Sequence, residues 1–305
     1  MLDGVSLDQL RTFIAAVDEG SFSAAARKLN RVQSAVSGWV SGLEEQIGVV
    51  LFDRSGRFPK LTAEGVLLLA DARSIVSGVD TLKARAKLMA GGQETELSVV
   101  VDVFFPTALV SAAAKAFASK FPLTPLRLFV EGLGAAYQPV LDGRCSLGIL
   151  ATLPNLTFPS LVSERLGEVP LVSVAAANHP LAAWRDRIPR GELAKHVQLV
   201  LTDRSDLMAG RDYGVVATSS WRLADLSTKY AFLKDGVGWG GMPLHMVEKD
   251  IADGKLVVLD VADTPRTGFM VTMSAYHQAS EPPGPAGRWF VDYLKAACEE
   301  VQASS

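Results

Sequence analysis

The sequence predicts an α/β chain in three parts: a small helical head ending in a hairpin, a long single helix, and a larger region of alternating strands and helices. Three patterns support this prediction. Apolar residues recur at helical spacing up to Ile47, a heptad-like pattern then runs to Met89, and apolar strand-like runs alternate with helical segments after Leu97. The length of 305 residues is enough for two or three domains of ordinary size.

The head has the element order of a winged helix-turn-helix. Apolar spacing predicts a helix from about Leu7 to Glu19, a short helix over Ala24 to Leu29, and a third over roughly Val32 to Ile47. Asn30 lies between the second and third helices, where it tolerates the left-handed backbone of a tight turn. Two short strands around a Ser-Gly turn then predict a hairpin between Val49 and Thr62, which is the wing.

The third helix has two unlike faces. Its apolar residues are spaced four, three and four apart and fall within a narrow arc: Val36, Val40, Leu43 and Ile47. Small residues occupy the opposite side: Ser34, Ser37, Gly38 and Ser41. Gln33 lies near the N-terminal end of the helix. Serine and glutamine can hydrogen-bond base edges in a major groove. The alternative, an ordinary solvated face, is favoured for one amphipathic helix alone, but the helix-Asn-helix context favours recognition.

Charge supports a nucleic-acid partner only through its distribution. The formal net charge is −3, and acidic and basic side chains balance over residues 1–62. The basic residues nevertheless form two groups, one at the turn (Arg27, Lys28, Arg31) and one on the wing (Arg54, Arg57, Lys60). Two cationic patches beside a reading helix would bind phosphates. The predicted DNA-binding residues are Arg31, Gln33, Ser34, Ser37, Gly38, Ser41, Arg54, Arg57 and Lys60.

A long helix is predicted from Thr62, its candidate N-cap, to about Met89, where Gly91 and Gly92 end it. Its apolar positions alternate four and three apart: Leu68, Ala72, Ile75, Val79, Leu82, Ala86 and Met89. Such a seam either packs on the chain's own head or pairs with a second copy, and its length favours pairing. The predicted dimerisation residues are Leu68, Ile75, Val79, Leu82 and Met89.

The remaining two thirds predict a parallel sheet with helices on both faces. Strands are expected near 97–103, 126–130 and 146–151, and a second unit begins near Ser163 with further strands near 169–177, 197–201, 256–259 and 269–276. The glycine-rich stretch from Gly236 to Pro243 lacks the lysine and spacing of a phosphate loop. We therefore expect its glycines to provide turn geometry and close packing.

Ligands of such sheets bind beyond the carboxyl ends of strands. Asp102 lies where the first predicted strand ends, and two roles are open: facing a cleft, where it favours a ligand with a donor or cationic group, or capping the next helix. Thr107 and nearby N–H groups at that helix start are candidates for holding an anion. The predicted ligand-binding residues are Asp102, Phe104, Phe105, Thr107, Ala151, Thr152, Thr202, Trp221 and Trp239, although residues like the apolar and aromatic ones more often belong to the core.

Several function classes find no support in the sequence. No catalytic Ser/His/Asp order, metal cluster or paired carboxylate is visible, so an enzyme is disfavoured and no cofactor or metal is expected. The apolar stretches are far shorter than the ~20 residues that span a bilayer, and residues 1–11 do not resemble a signal peptide. Cys145 and Cys298 are expected to be free thiols in a reducing cytoplasm.

The head closely resembles the N-terminus of the LysR-type transcription regulators. The matching elements run in register over about sixty residues: Leu10–Phe13, Gly20–Phe22, Ala24–Ala26 with Leu29, Gln33–Ser37, Leu43–Gly48, Leu51–Arg54 and Leu61–Gly65. Many family members carry arginine directly after the serine that matches Ser37, and this chain has Gly38 instead. This departure shifts the expected base readout to Gln33, Ser34 and Ser37.

The resemblance implies a bacterial, cytoplasmic regulator with a head at 1–62, a linker helix at 63–92 and an effector domain at 93–305. The effector domain would have two α/β lobes like periplasmic solute-binding proteins, one over about 93–162 and 268–305 and one over about 163–267. The reading helix would enter the major groove of double-stranded DNA, and the paired linker helix would make a homodimer or homotetramer on a roughly palindromic site. A small-molecule effector would bind between the lobes. A solute-binding module with an inactive head is the second hypothesis.

Overall fold

The structure is a computed structural model that describes residues 4–55, 59–92, 94–202, 204–205, 207, 214–262, 264–265 and 267–303. The chain divides into two compact units, Met1–Gly91 and Gly92–Ser305. The first unit is mainly helical, and the second is built on a large mixed sheet. The predicted α/β fold class is confirmed.

The first unit contains three short helices, a small hairpin and a long helix: α1 (Leu7–Asp18), α2 (Phe22–Lys28), α3 (Gln33–Ile47), β1 (Phe52–Asp53), β2 (Lys60–Leu61) and α4 (Ala63–Ala90). Ser6 and Gln9 form a reciprocal cap at the start of α1, because each side chain accepts the backbone N–H of the other. Asn30 has the predicted left-handed backbone, with φ of 52°, between α2 and α3.

The core of the head joins the three short helices to the hairpin. Phe13 from α1 and the apolar face of α3 are buried together with Leu51. The Phe52 ring makes edge-to-face contacts with the rings of Phe13 and Phe22, at centroid distances of 5.7 and 5.2 Å. Since Phe52 lies on β1, these rings fix the hairpin against α1 and α2.

Helix α4 is anchored at its N-terminus, as predicted for Thr62. The Thr62 hydroxyl accepts the Gly65 N–H at 2.9 Å and donates to the Val50 carbonyl at 2.7 Å. A Cβ at Gly65 would lie 2.4 Å from the Leu51 carbonyl oxygen, so glycine is needed for this close approach. Two exposed ion pairs, Arg11 with Asp80 and Arg73 with Asp18, also connect α1 to α4.

The second unit alternates strands and helices: β3 (Leu97–Asp102), α5 (Thr107–Lys120), β4 (Leu126–Glu131), α6 (Gly134–Leu141), β5 (Leu147–Ala151), β6 (Leu161–Ala176), a 3₁₀ turn (Pro180–Ala183), α7 (Arg190–Leu193), β7 (Gln198–Leu201), β8 (Ser220–Leu223), α8 (Leu226–Lys234), β9 (Trp239–Pro243), α9 (Leu244–Ala252), β10 (Leu256–Val258), β11 (Phe269–Gln278) and α10 (Pro285–Ala303). The glycine-rich stretch therefore includes a strand, β9, that the sequence did not predict. Strand β8 was also not predicted.

The described strands of the second unit form one sheet in the order β4-β3-β5-β11-β6-β9-β7-β8, and β10 pairs with β6. Strands β3, β4 and β5 are parallel, as are β7, β8 and β9, while β6 and β11 run antiparallel between the two groups. We call the β3–β5 side lobe I and the β7–β9 side lobe II. The long β6 and β11 are shared by both lobes, which makes the pair of lobes one continuous sheet.

Candidate nucleic-acid interface and ligand site

Helix α3 has the two faces that its sequence predicts. Val36, Val40 and Leu43 are buried in the head core. On the other side, Gln33, Ser34 and Gly38 are exposed and Ser37 and Ser41 are half-buried. A Cβ at Gly38 would meet no atom within 4 Å, so this face is open at the position of the family's arginine. This side of α3 is therefore an accessible helical surface that carries short polar side chains.

The start of α3 leaves backbone donors unused by side chains. Its N-cap is Val32, which makes no side-chain capping bond, although capping side chains are common at this position. Arg31 immediately precedes it, is exposed, and has its guanidinium carbon 5.6 Å from the centroid of the Trp39 ring. A helix N-terminus without a capping side chain and with a neighbouring cation suits an anion such as a DNA phosphate.

The hairpin is connected to α3 through Glu44. Its Oε1 accepts the N–H groups of Leu51 and Phe52, at 2.8 and 3.1 Å, and its Oε2 pairs with the Arg54 guanidinium at 2.7 Å. Arg54 also donates to the Ser41 hydroxyl and lies over the Phe22 ring. Arg54 is thus exposed but held at the edge of the α3 face. Lys60 is exposed on β2, and Arg57 lies outside the described residues.

The predicted seam of α4 divides into two sides. Leu68 and Ala72 pack on the head core, so Leu68 serves the chain's own head. Val79 is half-buried. Ile75, Leu82 and Met89 follow at intervals of seven residues and are 52%, 67% and 54% exposed. Among the described residues of the first unit, this stripe is therefore the exposed part of the seam.

In lobe I, the parallel strands end at one edge of the sheet, because Asp102 pairs in register with Glu131 and the β5 strand ends alongside at Ala151. Asp102 is 1% exposed. Its Oδ1 accepts the Phe104 N–H at 2.9 Å, and its Oδ2 has no hydrogen-bond partner among the described residues. Burial raises the pKa of Asp102 to about 7, although nearby backbone groups of Phe104, Ala151 and Leu133 lower it.

The capping role considered for Asp102 is not what the structure shows. The residue before α5 is Pro106, and no side chain caps that helix. Asp102 instead closes the turn at 102–105, where its backbone carbonyl also accepts the Phe105 N–H. Next to it, Leu133 precedes α6 with φ of 55°, a conformation that L-residues adopt only when their surroundings impose it.

A cluster of hydroxyl groups lies where β5 ends beside β11. The Thr152 hydroxyl is 3.1 Å from both the Ser274 hydroxyl and the Tyr276 hydroxyl. Tyr137 from α6 packs its ring on Tyr276 and donates to the Ala151 carbonyl at 2.7 Å. Thr152 is exposed, so these groups can meet a polar ligand at the strand end. The sequence identified Thr152 and Ala151 but missed Ser274, Tyr276 and Tyr137.

The other predicted ligand residues fall in different places. Phe104, Phe105 and Ala151 are buried in the main core, whereas Thr107 is exposed at the start of α5. Thr202 is half-buried and its N–H donates to the Leu223 carbonyl, so it joins the ends of β7 and β8. Trp221 is 48% exposed on β8. Trp239 is buried in a separate cluster, and its ring N–H donates to the Leu193 carbonyl.

The carboxyl ends of the two lobes approach each other. A Cβ at Gly132, just beyond β4 in lobe I, would lie 3.6 Å from Leu201 Cδ2 at the end of β7 in lobe II. Glu131 and Leu201 are the last residues of their strands, so the strand-end edges face each other here. Clefts between such edges are the usual ligand sites of α/β sheets.

Comparison with known families identifies both units. Residues 7–66 match the model of the bacterial regulatory helix-turn-helix protein, lysR family, and residues 90–299 match the LysR substrate binding domain. The chain belongs to the LysR family of transcriptional regulators. The resemblance predicted from the head is confirmed, and the family is one of DNA-binding regulators with an effector-binding domain rather than of enzymes.

Relatives of this LysR-type regulator span its length. The probable HTH-type transcriptional regulator YhaJ of Escherichia coli is 31% identical, covering 85% of this chain and 87% of its own. AceR of Acinetobacter baumannii is 29% identical, covering 95% and 97%. Among solved structures, a Corynebacterium glutamicum OxyR C206 mutant has a TM-score of 0.59 at 22% identity, and the match covers 98% of this chain and 94% of that one. CrgA of Neisseria meningitidis has a TM-score of 0.53 at 23% identity, and the match covers 96% of this chain and 99% of that one. These structures share the fold.

The thiols of this LysR-type regulator are poorly suited to redox sensing. Cys145 and Cys298 are buried and unpaired. Burial raises the pKa of both thiols to about 11, so little reactive thiolate is present at neutral pH. In the described residues, no helix combines the length and apolar character needed to cross a bilayer.

Proposed function

We propose that the exposed face of α3 reads a roughly palindromic operator and that the cleft between the lobes holds the effector. The observation that carries the first part is the division of α3 into a buried apolar face and an open polar face. Gln33, Ser34 and Ser37 would reach base edges in the major groove. Phosphates would be bound by the uncapped start of α3 and by four basic residues: Arg31, Arg54, Arg57 and Lys60. Gly38 and Ser41 would lie close to the DNA backbone.

The functional unit is a homodimer or homotetramer in the cytoplasm. The exposed stripe of Ile75, Leu82 and Met89 supports pairing of α4, because its seven-residue spacing is that of a coiled-coil seam. The proposed domains are the head at 1–62, the linker helix at 63–92 and the effector domain at 93–305. Within the effector domain, one lobe would comprise about 93–162 and 268–305, and the other about 163–267. Two heads held by paired helices would contact half-sites one DNA turn apart, or a multiple of it.

The effector site would use the groups that the strand ends bring to the cleft. In lobe I these are Thr107, the Thr152 hydroxyl cluster and Asp102, whose Oδ2 accepts no hydrogen bond from the described residues and favours a ligand that donates one. In lobe II they are Thr202 and Trp221. Effector binding would change the closure of the lobes and thereby the spacing of the paired heads.

The reading surface is tested by selecting bound sequences from random DNA and then measuring affinity for the selected site. Gln33→Ala combined with Ser37→Arg should weaken binding about 10- to 100-fold, since a good base contact contributes about 1–3 kcal/mol. Gln46→Ala, which changes an exposed residue near the other end of α3, is the matched control. Two related half-sites should emerge. Unchanged footprint protection by the double variant would rule out α3 as the reading helix.

A further inference from the structure

Helix α8 carries a lysine where its pattern calls for an apolar residue. Its buried residues are Leu226, Lys229 and Leu233, spaced three and four apart on the side that faces the sheet. Lys229 is only 5% exposed. Lysine is almost never fully buried in proteins unless it is paired. The position of Lys229 therefore requires an explanation other than packing.

The described residues give the buried ammonium of Lys229 little compensation. Its Nζ donates one hydrogen bond, 2.6 Å long, to the Gly241 carbonyl. Within the described part of the chain, no carboxylate forms an ion pair with it. An ammonium has three N–H donors, so two remain for other acceptors. Burial lowers the pKa of Lys229 to about 8, so the group is still mainly charged at neutral pH.

The neighbouring strands leave room for this side chain. A Cβ at Gly240 would lie 3.2 Å from Lys229 Cε and 2.5 Å from the Leu199 carbonyl oxygen, so glycine there lets the lysine lie against β9. Strands β7 and β9 pair in register only at Gln198 and Trp239. The Gly241 carbonyl further along β9 is thus available to the lysine instead of to β7.

The lysine also lies at the ligand-binding end of lobe II. Helix α8 follows the end of β8 directly, with Asp225 as its N-cap, and Lys229 comes one turn later. Gly241 is near the carboxyl end of β9, which is parallel to β7. This is the edge at which Leu201 approaches Gly132 of lobe I. A buried cation that pairs with no described carboxylate at this edge is a candidate functional group.

We propose that Lys229 binds an anionic group of the effector, a carboxylate or a phosphate, in the inter-lobe cleft; this proposal rests on the effector site proposed above. An anion beside Lys229 would supply the opposite charge that no carboxylate of the described residues provides, and binding would be favourable because the ammonium is already desolvated. The ionised form of Asp102 on the lobe I side, which predominates above about pH 7, would repel an anion and direct the anionic end of the ligand to lobe II.

The test uses the full-length protein and five probes: acetate, benzoate, inorganic phosphate, sulfate and the neutral analogue benzamide. Calorimetry and thermal unfolding should show that at least one anion binds and that benzamide does not. Lys229→Met should weaken anion binding about 30-fold or more, since removing one partner of a buried charge pair costs several kcal/mol. Lys234→Met, an exposed lysine of the same helix, should bind like the wild type.

A second measurement separates recognition from a structural role. If Lys229 only supported the Gly241 carbonyl, Lys229→Met without ligand would unfold at a lower temperature than the wild type. If the substitution instead relieves an uncompensated charge, the unfolding temperature should be unchanged or higher.

The affinity of the wild type for anions should fall above about pH 8, because the ammonium of Lys229 then loses its proton. Other titratable groups could also contribute to this pH dependence. Of the strands that pack on α8, β7 and β9 carry no titratable side chain. Strand β8 carries Arg222, and β6 carries Glu164, Arg165 and Glu168.

Binding of none of the four anions, or equal binding by Lys229→Met, would overturn the proposal. The effector site itself would survive those results if a neutral or cationic metabolite shifted the unfolding temperature and changed operator affinity. If no small molecule from a metabolite library did either, the proposed effector function would fail as well. The two failures are therefore distinguishable.

Discussion

The two units keep their candidate binding groups in opposite environments. In the head, Gln33, Ser34 and Gly38 are exposed on a helix whose other face is buried. In the effector domain, Asp102 and Lys229 are almost fully buried. Exposed contacts are individually weak and add up over many residues, whereas one buried charge carries a large free energy. Under the proposed function, the same chain would read DNA through many small contributions and sense a ligand through a few large ones.

The largest effect that can test this contrast is the pH dependence caused by Asp102. Its pKa is about 7 in the folded protein, against 3.8 for an ordinary aspartate, so the folded state holds the proton more tightly than the unfolded state. This contribution to stability is complete below about pH 4 and is lost as pH rises through 7. Between pH 5 and pH 8 the loss should amount to about 3 kcal/mol.

Asp102→Asn removes this titration and keeps an acceptor for the Phe104 N–H. The free energy of unfolding of both proteins is measured in urea. The difference, variant minus wild type, should increase from pH 5 to pH 8. Asp142→Asn, at an exposed aspartate that follows α6, is the control and should not change the slope. Parallel pH profiles for wild type and Asp102→Asn would show that the carboxyl is not titrating in a buried site.

An intermediate effect is expected in the head, where Glu44 is the side chain that joins α3 to the hairpin. Glu44→Ala would leave the N–H groups of Leu51 and Phe52 without their acceptor and release Arg54. We expect a loss of about 2 kcal/mol in the free energy of unfolding and weaker operator binding. Glu45→Ala, at the exposed neighbouring position, should change unfolding by less than about 0.5 kcal/mol. Equal effects of the two variants in denaturant titrations would refute this role.

The same contrast explains how much the sequence could predict. The head was predictable because α3 repeats a local apolar pattern that fixes which residues face outward. The candidate ligand site depends on sheet order: Thr152 meets Ser274 and Tyr276 across more than 120 residues of sequence. Trp239 was predicted to line the site as an aromatic near a strand, but its strand directs it into another cluster. Lys229 has a local signal in the sequence, because it is a lysine within the apolar stripe of α8.

The smallest expected effect concerns Gly38, where this chain departs from many members of its family. Gly38 lies inside α3 with open space around its missing Cβ, so Gly38→Ala should raise the free energy of unfolding by about 1 kcal/mol. Gly48 is the matched control. It is also in open space but ends α3 with φ of 72°, so Gly48→Ala should destabilise by about 1 kcal/mol.

Gly38→Arg then asks whether the open face reaches DNA. A new phosphate contact there would strengthen binding to selected and unselected sequences alike, because phosphates carry no sequence information. The slope of log affinity against log salt should become steeper by about 1 per head. If instead only the selected site gained affinity, the arginine would be contacting a base, and position 38 would belong to the base-reading residues with Gln33 and Ser37. If neither changed, this part of α3 would lie away from the duplex, and the contrast between an exposed reading helix and a buried ligand site would lose its first half.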